Sequence, residues 1–579
     1  MEGIVVEEKM EVFSIENKTT CNVPSKPKGG LVTMPFIIAN ESLEKVVSMG
    51  LHSNMIFYLM KGYHMSNANG TSILQLWSAL SNFLPVLGAF LSDSYFGRFQ
   101  VVVFGSVSSF LGVILLWLTT MIPQAKPPAS EEPNSSQLAL LFSSFLLMSI
   151  GAGGVRPCSI AFGADQFITN KDNPNNERIL QTYFNWYYAS VGLSFVIAVT
   201  VLVYIQDHFG WKWGFGIPVI LMSLSILTFF LGSHLYVKVN ANKSLFTGLV
   251  QVIAVTFKNR SLPYPANCKY HCSKGSDIVL PSQNLRLLNK ACVIMDPEND
   301  INPDGSTSKP WNLCTVEQVQ ALKSLIRILP IWSTGIISYL IFTMISFGAL
   351  QAKSMDRHLT SNFQIPPASY GVFGILTITI WASTYDRLVV PLLAKFTGNP
   401  RGITNQARMG IGLLLTAVAM VLGALVENIR RSKAIAEGLA DKNGGIVGMS
   451  AFWLVPQHCA IGLAEAFQAV GQIEFFYSQL PKNMASLAMA LCALNNAVAG
   501  LLGSFLVKTV DRITKHGGKQ SWVASNPNKG HFDYFYLLVA ILCAANFLYY
   551  LLCCWAYGFS DEVKRSTSDD QEDISPSRD

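Results

Sequence analysis

Long apolar segments alternate with short polar ones along most of this chain, and each apolar segment is long enough to cross a membrane as a helix. Twelve such segments can be counted, with a longer polar stretch after the sixth. They cover residues 34–62, 71–95, 99–122, 137–162, 181–205, 213–237, 321–350, 369–394, 407–427, 447–477, 485–512 and 532–558. The pattern predicts an all-α polytopic membrane protein with 12 transmembrane helices in two six-helix bundles.

The same pattern divides the chain into five parts. Residues 1–33 are polar and are predicted to form a disordered cytoplasmic N-terminus. The two bundles, 34–237 and 321–559, flank a central cytoplasmic loop over 238–320. The remaining residues, 560–579, are charged and lack aromatic side chains, which is typical of a disordered cytoplasmic tail on which a kinase could act.

Composition supports a membrane protein. Half of the residues are hydrophobic and 13% are charged, whereas a soluble chain carries about 25% charged residues. The net charge of +6 is small for 579 residues, and the basic residues fall in loops, so nothing indicates nucleic-acid binding. The lipid bilayer is the partner that this composition requires.

Basic residues are more frequent in the loops on the side of the N-terminus, which predicts that both termini are cytoplasmic. Possible glycosylation sites at Asn69 and Asn134, in two predicted outer loops, support this orientation. Arg430, Arg431 and Lys433 depart from it, because alternation of the spans assigns their loop to the outside.

The central loop contains one group of potential metal ligands. They are Cys268, His271, Cys272, Cys292 and Cys314. Their spacing matches no standard zinc-binding arrangement, and thiols in a cytosolic loop stay reduced. We therefore expect no metal site.

Charged side chains inside the first apolar segment indicate function. Glu41, Glu44 and Lys45 share one face of a helix, and His52 extends that face. A charge inside a membrane span is costly, so it normally faces a bundle interior or a water-filled path. The alternative is a soluble amphipathic helix with a solvated charged edge, and the twelve apolar segments argue against it.

A second charge lies in the fourth span, where the segment Gly151–Phe167 contains Arg156. The glycines of this segment permit close helix packing. Arginine does not release its proton at ordinary pH, so Arg156 can attract an anion or hold a carboxylate but cannot carry a proton. The alternative is an arginine whose side chain extends to the cytoplasmic interface.

A third charge lies in the tenth span, where His458, Glu465 and Gln472 are spaced by seven residues and share a face. A buried carboxylate without a nearby cation takes up a proton more readily. Glu465 could therefore bind a proton on one side of the membrane and release it on the other, although a packing role is the alternative. His458 lies nearer the end of the span and is interpreted as structural.

The loop between the second and third spans, Gly88–Arg98, carries Asp93 and Arg98 at a tight helix–helix corner. We predict that these two residues form a charge latch that breaks when the two bundles rock. A simple loop with a helix cap is the alternative interpretation.

Several segments together resemble the plant nitrate/peptide transporter family, which belongs to the proton-coupled oligopeptide transporters of the major facilitator superfamily. They are Glu41–Lys45, Gly151–Phe167, Tyr183–Tyr188, Tyr385–Arg387 and Gly462–Ala466. The segments Gly29–Ile37 and Trp522–Gly530 are similar to the first subfamily of that family. The resemblance extends from Gly29 to Phe559 and implies the major facilitator fold, with proton symport by alternating access.

The resemblance also implies roles for particular residues. Glu41, Glu44 and Lys45 match the motif that the family links to proton coupling, and Glu465 joins them as a proton carrier. Arg156 stands where many members have a lysine that pairs with the glutamate equivalent to Glu465. A nitrate-transporting relative has a histidine in the seventh span, where Phe342 is the nearest position of this chain. The expected substrate-binding residues are Lys45, Arg156, Phe342 and Glu465.

These expectations describe a proton-coupled symporter of a small anion, with nitrate as first candidate, in the plasma membrane of a plant cell. The proton gradient supplies the energy, and no cofactor is expected. Carboxylate hormones (gibberellin, abscisic acid, jasmonate) and small peptides remain alternative substrates. A transport-inactive sensor is an alternative of another class, whereas no motif in the spans indicates an enzyme. Nothing in the sequence indicates an oligomer.

Overall fold

The computed structural model describes residues 29–128, 131–168, 176–239, 245–261, 269–272, 281–294, 300–302, 307–397, 402–442, 444–480 and 485–572. Residues 1–28 of the predicted disordered N-terminus lie outside these ranges, and so does Cys268 of the central loop.

The N-terminal half consists of seven helices in chain order. They are α1 (Met34–Gly62), α2 (Asn67–Leu91), α3 (Arg98–Met121), α4 (Ser135–Ile168), α5 (Asn176–Ile197), α6 (Val203–His208) and α7 (Trp211–Leu231). A π-helical turn, Ala198–Leu202, joins α5 to α6, so that these two helices form one membrane-length element. The six predicted spans of this half therefore correspond to six helical elements.

The central loop contains a helix that the sequence analysis missed, α8 (Leu245–Lys258). The C-terminal half follows with eight helices. They are α9 (Val316–Ser338), α10 (Met344–Lys353), α11 (Val372–Thr384), α12 (Val390–Thr397), α13 (Asn405–Ala436), α14 (Val455–Gln479), α15 (Ala485–Thr514) and α16 (Phe532–Glu572). Four short strands accompany them: β1 (Met355–Asp356) pairs in parallel with β4 (Val447–Ser450), and β2 (His358–Thr360) pairs antiparallel with β3 (Phe363–Gln364).

Nine helical elements within the described ranges are long and apolar enough to cross a membrane. The first, eighth and tenth predicted spans are not among them. Helices α1 and α14, which correspond to the first and tenth, contain 29 and 25 residues but carry charged and polar side chains. The predicted fold class is confirmed: the protein is a polytopic all-α membrane protein.

Each half has its own packed interior. In the first half α1 packs against α5 and α7, while α4 packs against α2 and α3. In the second half α14 packs against α11 and α13, and α13 also contacts α16. Glycines allow the closest of these approaches, because a Cβ atom on Gly88 of α2 would collide with the carbonyl group of Gly153 on α4.

The two halves meet along α2 and α15 and along α5 and α11. Hydrogen bonds join the two halves at the end of the molecule opposite Met34. We call the helix ends there, around Asn67, Ser504 and Ser525, the far ends. The backbone N–H of Asn67 donates to Ser525 Oγ at 3.0 Å, and its side-chain amide donates to the carbonyl oxygen of Val523 at 3.1 Å. Ser72 and Ser504 share a hydrogen bond of 2.6 Å between their hydroxyls.

A buried ion pair accounts for Arg430, one of the three basic residues after the ninth span that depart from the orientation rule. The ninth span was predicted to end at residue 427, but α13 continues to Ala436. Arg430 therefore lies on this helix, where its guanidinium donates to both oxygens of Glu427 at 2.8 Å, and both residues are fully buried. A buried, neutralised pair is not a loop charge, so it does not count toward the orientation of the chain.

Two other predictions differ from the structure. Helix α16 continues to Glu572, fourteen residues beyond the predicted end of the last span at 558, although a disordered tail was expected from residue 560 onward. The sequon residue Asn69 lies in the first turn of α2 and not in a loop, and the Thr71 hydroxyl of that sequon is buried and donates to Asn67 Oδ1. The second sequon residue, Asn134, accepts a hydrogen bond from the backbone N–H of Gln137 near the start of α4.

Cys292 and Cys314 of the central loop lie in an apolar core beside the start of α9, and Cys272 packs against that core. Burial raises the pKa of Cys292 to about 12 and that of Cys314 to about 11, so both thiols stay protonated at neutral pH. Across the residues that the structure describes, no group of three His, Cys, Asp or Glu side chains is placed to hold a metal ion.

Candidate substrate and proton site

The charged motif of α1 forms a compact group, as its spacing predicts. Lys45 Nζ lies 3.3 Å from Glu41 Oε1 and 4.0 Å from Glu44 Oε2. Glu41 and Glu44 are 1% and 3% exposed, and one oxygen of each carboxylate has no hydrogen-bond partner among the described residues. Two buried carboxylates thus share one ammonium group, which neutralises only one of them when both are ionised.

Arg156 faces this group from α4. Its Nη2 donates to the Ser48 hydroxyl at 2.7 Å, and Ser48 lies one helical turn beyond Glu44 on α1. In the described part of the chain, no carboxylate oxygen lies within 4.0 Å of this guanidinium, and its Nε is buried without a partner. The permanent positive charge of Arg156 is therefore left available for an anion.

The expected pair between Arg156 and Glu465 is absent from this conformation. Glu465 is half-buried on α14, in the other half of the molecule, and makes no hydrogen bond or ion pair with any described residue. The physical reason is that Arg156 bonds to Ser48 within its own half. Glu465 is consequently a carboxylate without a neighbouring countercharge.

Beside Arg156 the N-terminal half encloses a cavity of about 310 Å³, including its mouth, which we call the chamber. Every lining residue comes from helices α1, α2, α3, α4 and α7. They are Glu44, Val47, Ser48, Trp77, Ser81, Ser109, Val113, Met148, Ala152, Arg156 and Met222. The chamber therefore combines one guanidinium, one carboxylate and three hydroxyls with an apolar wall.

Trp77 forms part of that wall and is held firmly. Its ring stacks on Phe145, with 4.5 Å between ring centroids and 9° between planes, and His52 lies 5.3 Å away on α1. Trp77 is 7% exposed, and its indole N–H has no partner within the described residues. Sequence reasoning missed Trp77, Ser48 and Ser109, because an uncharged residue in an apolar span gives no signal of its own.

The family follows from comparison with known proteins. The sequence model of the family described as PTR2, POT family, matches residues 99–523. The chain belongs to the POT family. It is 50% identical to protein NRT1/PTR family 1.2 of Arabidopsis thaliana over 561 residues, which cover 94% of this chain and 92% of that relative. It is 49% identical to protein NRT1/PTR family 1.1 of the same plant, with 94% of each chain covered.

Solved structures of other POT family members share the fold. An auto-inhibited POT family peptide transporter aligns with a TM-score of 0.66 at 19% identity, covering 90% of this chain and 96% of the other. The POT family transporter PepTSo aligns with a TM-score of 0.63 at 18% identity, covering 90% and 98%. Membership of a transporter family supports a transporter and not an enzyme.

In the structure of this POT family chain, the predicted charge latch at Arg98 has a different main partner. Arg98 Nη1 donates to both carboxylate oxygens of Asp165 at 2.8 Å, whereas its Nε lies 3.4 Å from Asp93 Oδ1. Asp165 at the end of α4 is therefore the stronger partner. All three residues belong to the N-terminal half, so these contacts fasten helices within one half and do not cross to the other.

The remaining predicted residues lie in the C-terminal half. Phe342 falls in the helical turn Tyr339–Thr343 between α9 and α10, and its side chain lies outside the described part of the structure. Its predicted contact with substrate therefore stays a prediction. On α14, Gln472 accepts a hydrogen bond from the Tyr339 hydroxyl at 3.5 Å, which places it on the predicted face with Glu465.

Proposed function

We propose that this protein is a proton-coupled symporter of a small anion, with nitrate as its first candidate substrate. The observation that carries this proposal is Arg156, a permanent cation without a carboxylate partner in the described residues, next to the buried carboxylate of Glu44. We place the protein in the plasma membrane of a plant cell with both termini in the cytoplasm, an orientation in which the far ends face outward.

The balance of charges supplies the coupling. When both carboxylates of α1 are ionised, they balance Lys45 and Arg156, so a further anion meets no net attraction. Protonation of one carboxylate leaves a net positive charge that an anion can balance. Glu44 is the better candidate, because it lines the chamber with Arg156, whereas Glu41 lies closer to Lys45. Anion and proton therefore bind together or not at all.

Alternating access then moves both across the membrane. With the far ends open, a proton binds at Glu44 together with an anion at Arg156. After the far ends close, Glu44 releases its proton toward the cytoplasm, and the restored carboxylate repels the anion. Glu465, in the other half, is the second proton carrier in this proposal, because no described residue gives it a neighbouring countercharge.

A proton also solves an energetic problem. Moving one negative charge into a cell against the membrane potential costs about 2.3 kcal/mol per 100 mV. One proton per anion removes that cost, and a second proton carried by Glu465 makes the membrane potential favour uptake. We therefore expect inward current during transport if both Glu44 and Glu465 carry protons.

The experiment is uptake of isotope-labelled nitrate into oocytes expressing the chain, at acidic and neutral outside pH, with surface expression measured in parallel. Nitrate uptake that rises in acid and is lost in Glu44→Gln and Glu465→Gln supports the proposal. Uptake of labelled gibberellin or of a dipeptide, without nitrate, would keep the coupling and change the substrate. Nitrate binding to surface protein without uptake would favour a sensor, and neither binding nor uptake would refute the anion proposal.

A further inference from the structure

All residues that line the chamber belong to the N-terminal half of the protein, and this matters for the choice of substrate. Its lining residues lie between Glu44 and Met222, and none comes from the C-terminal half. Rocking of the halves therefore leaves the lining in place and changes only the access to its mouth. A site of this kind holds its ligand with similar contacts in both conformations.

The polar groups of the chamber suit a small oxyanion. Arg156 and Ser48 are already joined at 2.7 Å, so a guanidinium and a hydroxyl converge on one point. Ser109 adds a buried hydroxyl, and its oxygen has no described partner in another residue. These groups donate hydrogen bonds to an anion, and only Glu44 opposes it while ionised.

The apolar wall limits the size of that anion. The volume of about 310 Å³ includes the open space at the mouth, so the enclosed part of the chamber is much smaller and has room only for a small ion. Trp77 closes one side and Met148 another. Trp77 cannot easily turn away, because Phe145 stacks on one face of it and His52 lies close by.

From this geometry we infer that the chamber itself is the anion-binding compartment and that Trp77 sets the largest anion it accepts. This rests on the proposed function and narrows it: small oxyanions enter, and bulky carboxylates are excluded by size while sharing the same charge. Trp77 is a specificity-determining residue, and Met148 also lines the same space.

Calorimetric binding of nitrate, acetate and benzoate to the purified full-length chain in detergent tests this inference. Wild type should bind nitrate and acetate and bind benzoate at least about tenfold more weakly. Trp77→Ala removes the indole, so benzoate should gain about tenfold relative to nitrate because it fills the vacated apolar space. Met148→Ala should shift the ratio in the same direction, which keeps the test valid if Trp77→Ala does not fold.

Two matched variants serve as controls. Trp77→Phe keeps an aromatic ring at the wall and should preserve the preference for nitrate. Trp213→Ala removes a tryptophan that is 63% exposed and should leave all three affinities unchanged. An unchanged benzoate-to-nitrate ratio in both enlarged variants overturns the size filter while the anion symport proposal stands. Absence of binding by wild type, or binding that Arg156→Gln does not weaken, would overturn both.

Discussion

Arg156 donates a hydrogen bond to the Ser48 hydroxyl, with 2.7 Å between Nη2 and Oγ, and thereby joins α4 to the charged helix α1. The partner is neutral, so the bond orients the guanidinium without neutralising it. A carboxylate in the place of Ser48 would satisfy this charge internally and would compete with any anion. Ser48 therefore holds the Arg156 guanidinium in position and leaves its positive charge available to an anion.

Substitution of Arg156 by Gln should weaken nitrate binding about 10- to 100-fold, because a charge-assisted hydrogen bond is worth about 1.5–3 kcal/mol. Arg156→Lys keeps the charge without the planar fork and should retain part of the affinity. The apparent affinity for nitrate in uptake assays, corrected for surface expression, measures both. Equal affinities in wild type and Arg156→Gln would exclude Arg156 as an anion ligand.

Removal of one partner from the buried pair of Glu427 and Arg430 should destabilise the C-terminal half by about 3–5 kcal/mol, because it leaves an uncompensated buried charge. Arg430 also donates to Asn528 Oδ1 at 2.6 Å, so Arg430→Met releases the loop before α16 as well. Thermal unfolding of the purified protein measures the loss.

The double variant Glu427→Leu with Arg430→Met is the informative control. It removes both charges and should be less destabilised than Arg430→Met alone, because no charge remains unpaired. If the double variant loses at least the sum of the two single losses, the buried pair does not explain the stability of this region.

The contacts at the far ends should set the balance between the two conformations. Asn67→Ala removes the bond from its side chain to Val523, and Ser72→Ala removes the bond to Ser504. Each loss costs the closed far ends about 1 kcal/mol, so each single variant should open about fivefold more often and the double variant about 30-fold more often. Labelling of a cysteine introduced at Ser525 by a membrane-impermeant reagent reports this opening.

Asn82→Ala is the matched control for that labelling, because the Asn82 amide bonds to Ser78 within α2 and does not cross between the halves. Its labelling rate should equal that of wild type. Faster labelling in Asn82→Ala, or none in the Asn67 and Ser72 variants, would contradict the assignment of these bonds to the junction.

Acid should weaken the loop beside α16 through His531. Burial and the neighbouring Arg431 lower the pKa of His531 below its usual value, although Asp533 acts in the opposite direction. Arg431 Nη2 donates to His531 Nε2 at 3.1 Å, a bond that protonation of this nitrogen abolishes. The unfolded chain then binds more protons below about pH 6.5, so stability should fall as the pH drops from there.

His531→Gln should reduce this acid sensitivity, since a glutamine does not titrate. Thermal unfolding of the two proteins between acidic and neutral pH makes the comparison. Parallel curves for wild type and variant would show that other groups cause the acid effect.

The sequence predicted that the charged residues of α1 lie together, while their roles in transport stay predictions. Glu41, Glu44 and Lys45 share a helical face for reasons of spacing alone, and the structure has them together. The pairing of Arg156 with Glu465 was wrong for this conformation, because contact between two halves depends on how those halves are placed and not on local spacing.

Other features of the site and the fold depend on contacts between residues far apart in the sequence, which local sequence patterns do not predict. Trp77 gives no signal in an apolar span, and its position in the chamber depends on packing among five helices. Arg430 was misread because the ninth span was predicted to end at residue 427, which placed Arg430 in a loop, whereas α13 is 32 residues long and continues to Ala436. The stronger partner of Arg98, Asp165, lies 67 residues away, whereas the predicted partner was the nearby Asp93.

The central claim is that an anion at Arg156 and a proton at Glu44 move together. Purified protein in liposomes with a trapped pH indicator tests it directly, by imposing a nitrate gradient without a pH gradient. Wild type should carry protons along the nitrate gradient, Arg156→Gln should carry neither, and Glu44→Gln should exchange nitrate without moving protons. Nitrate-driven proton movement that survives in Glu44→Gln and Arg156→Gln would contradict the coupling.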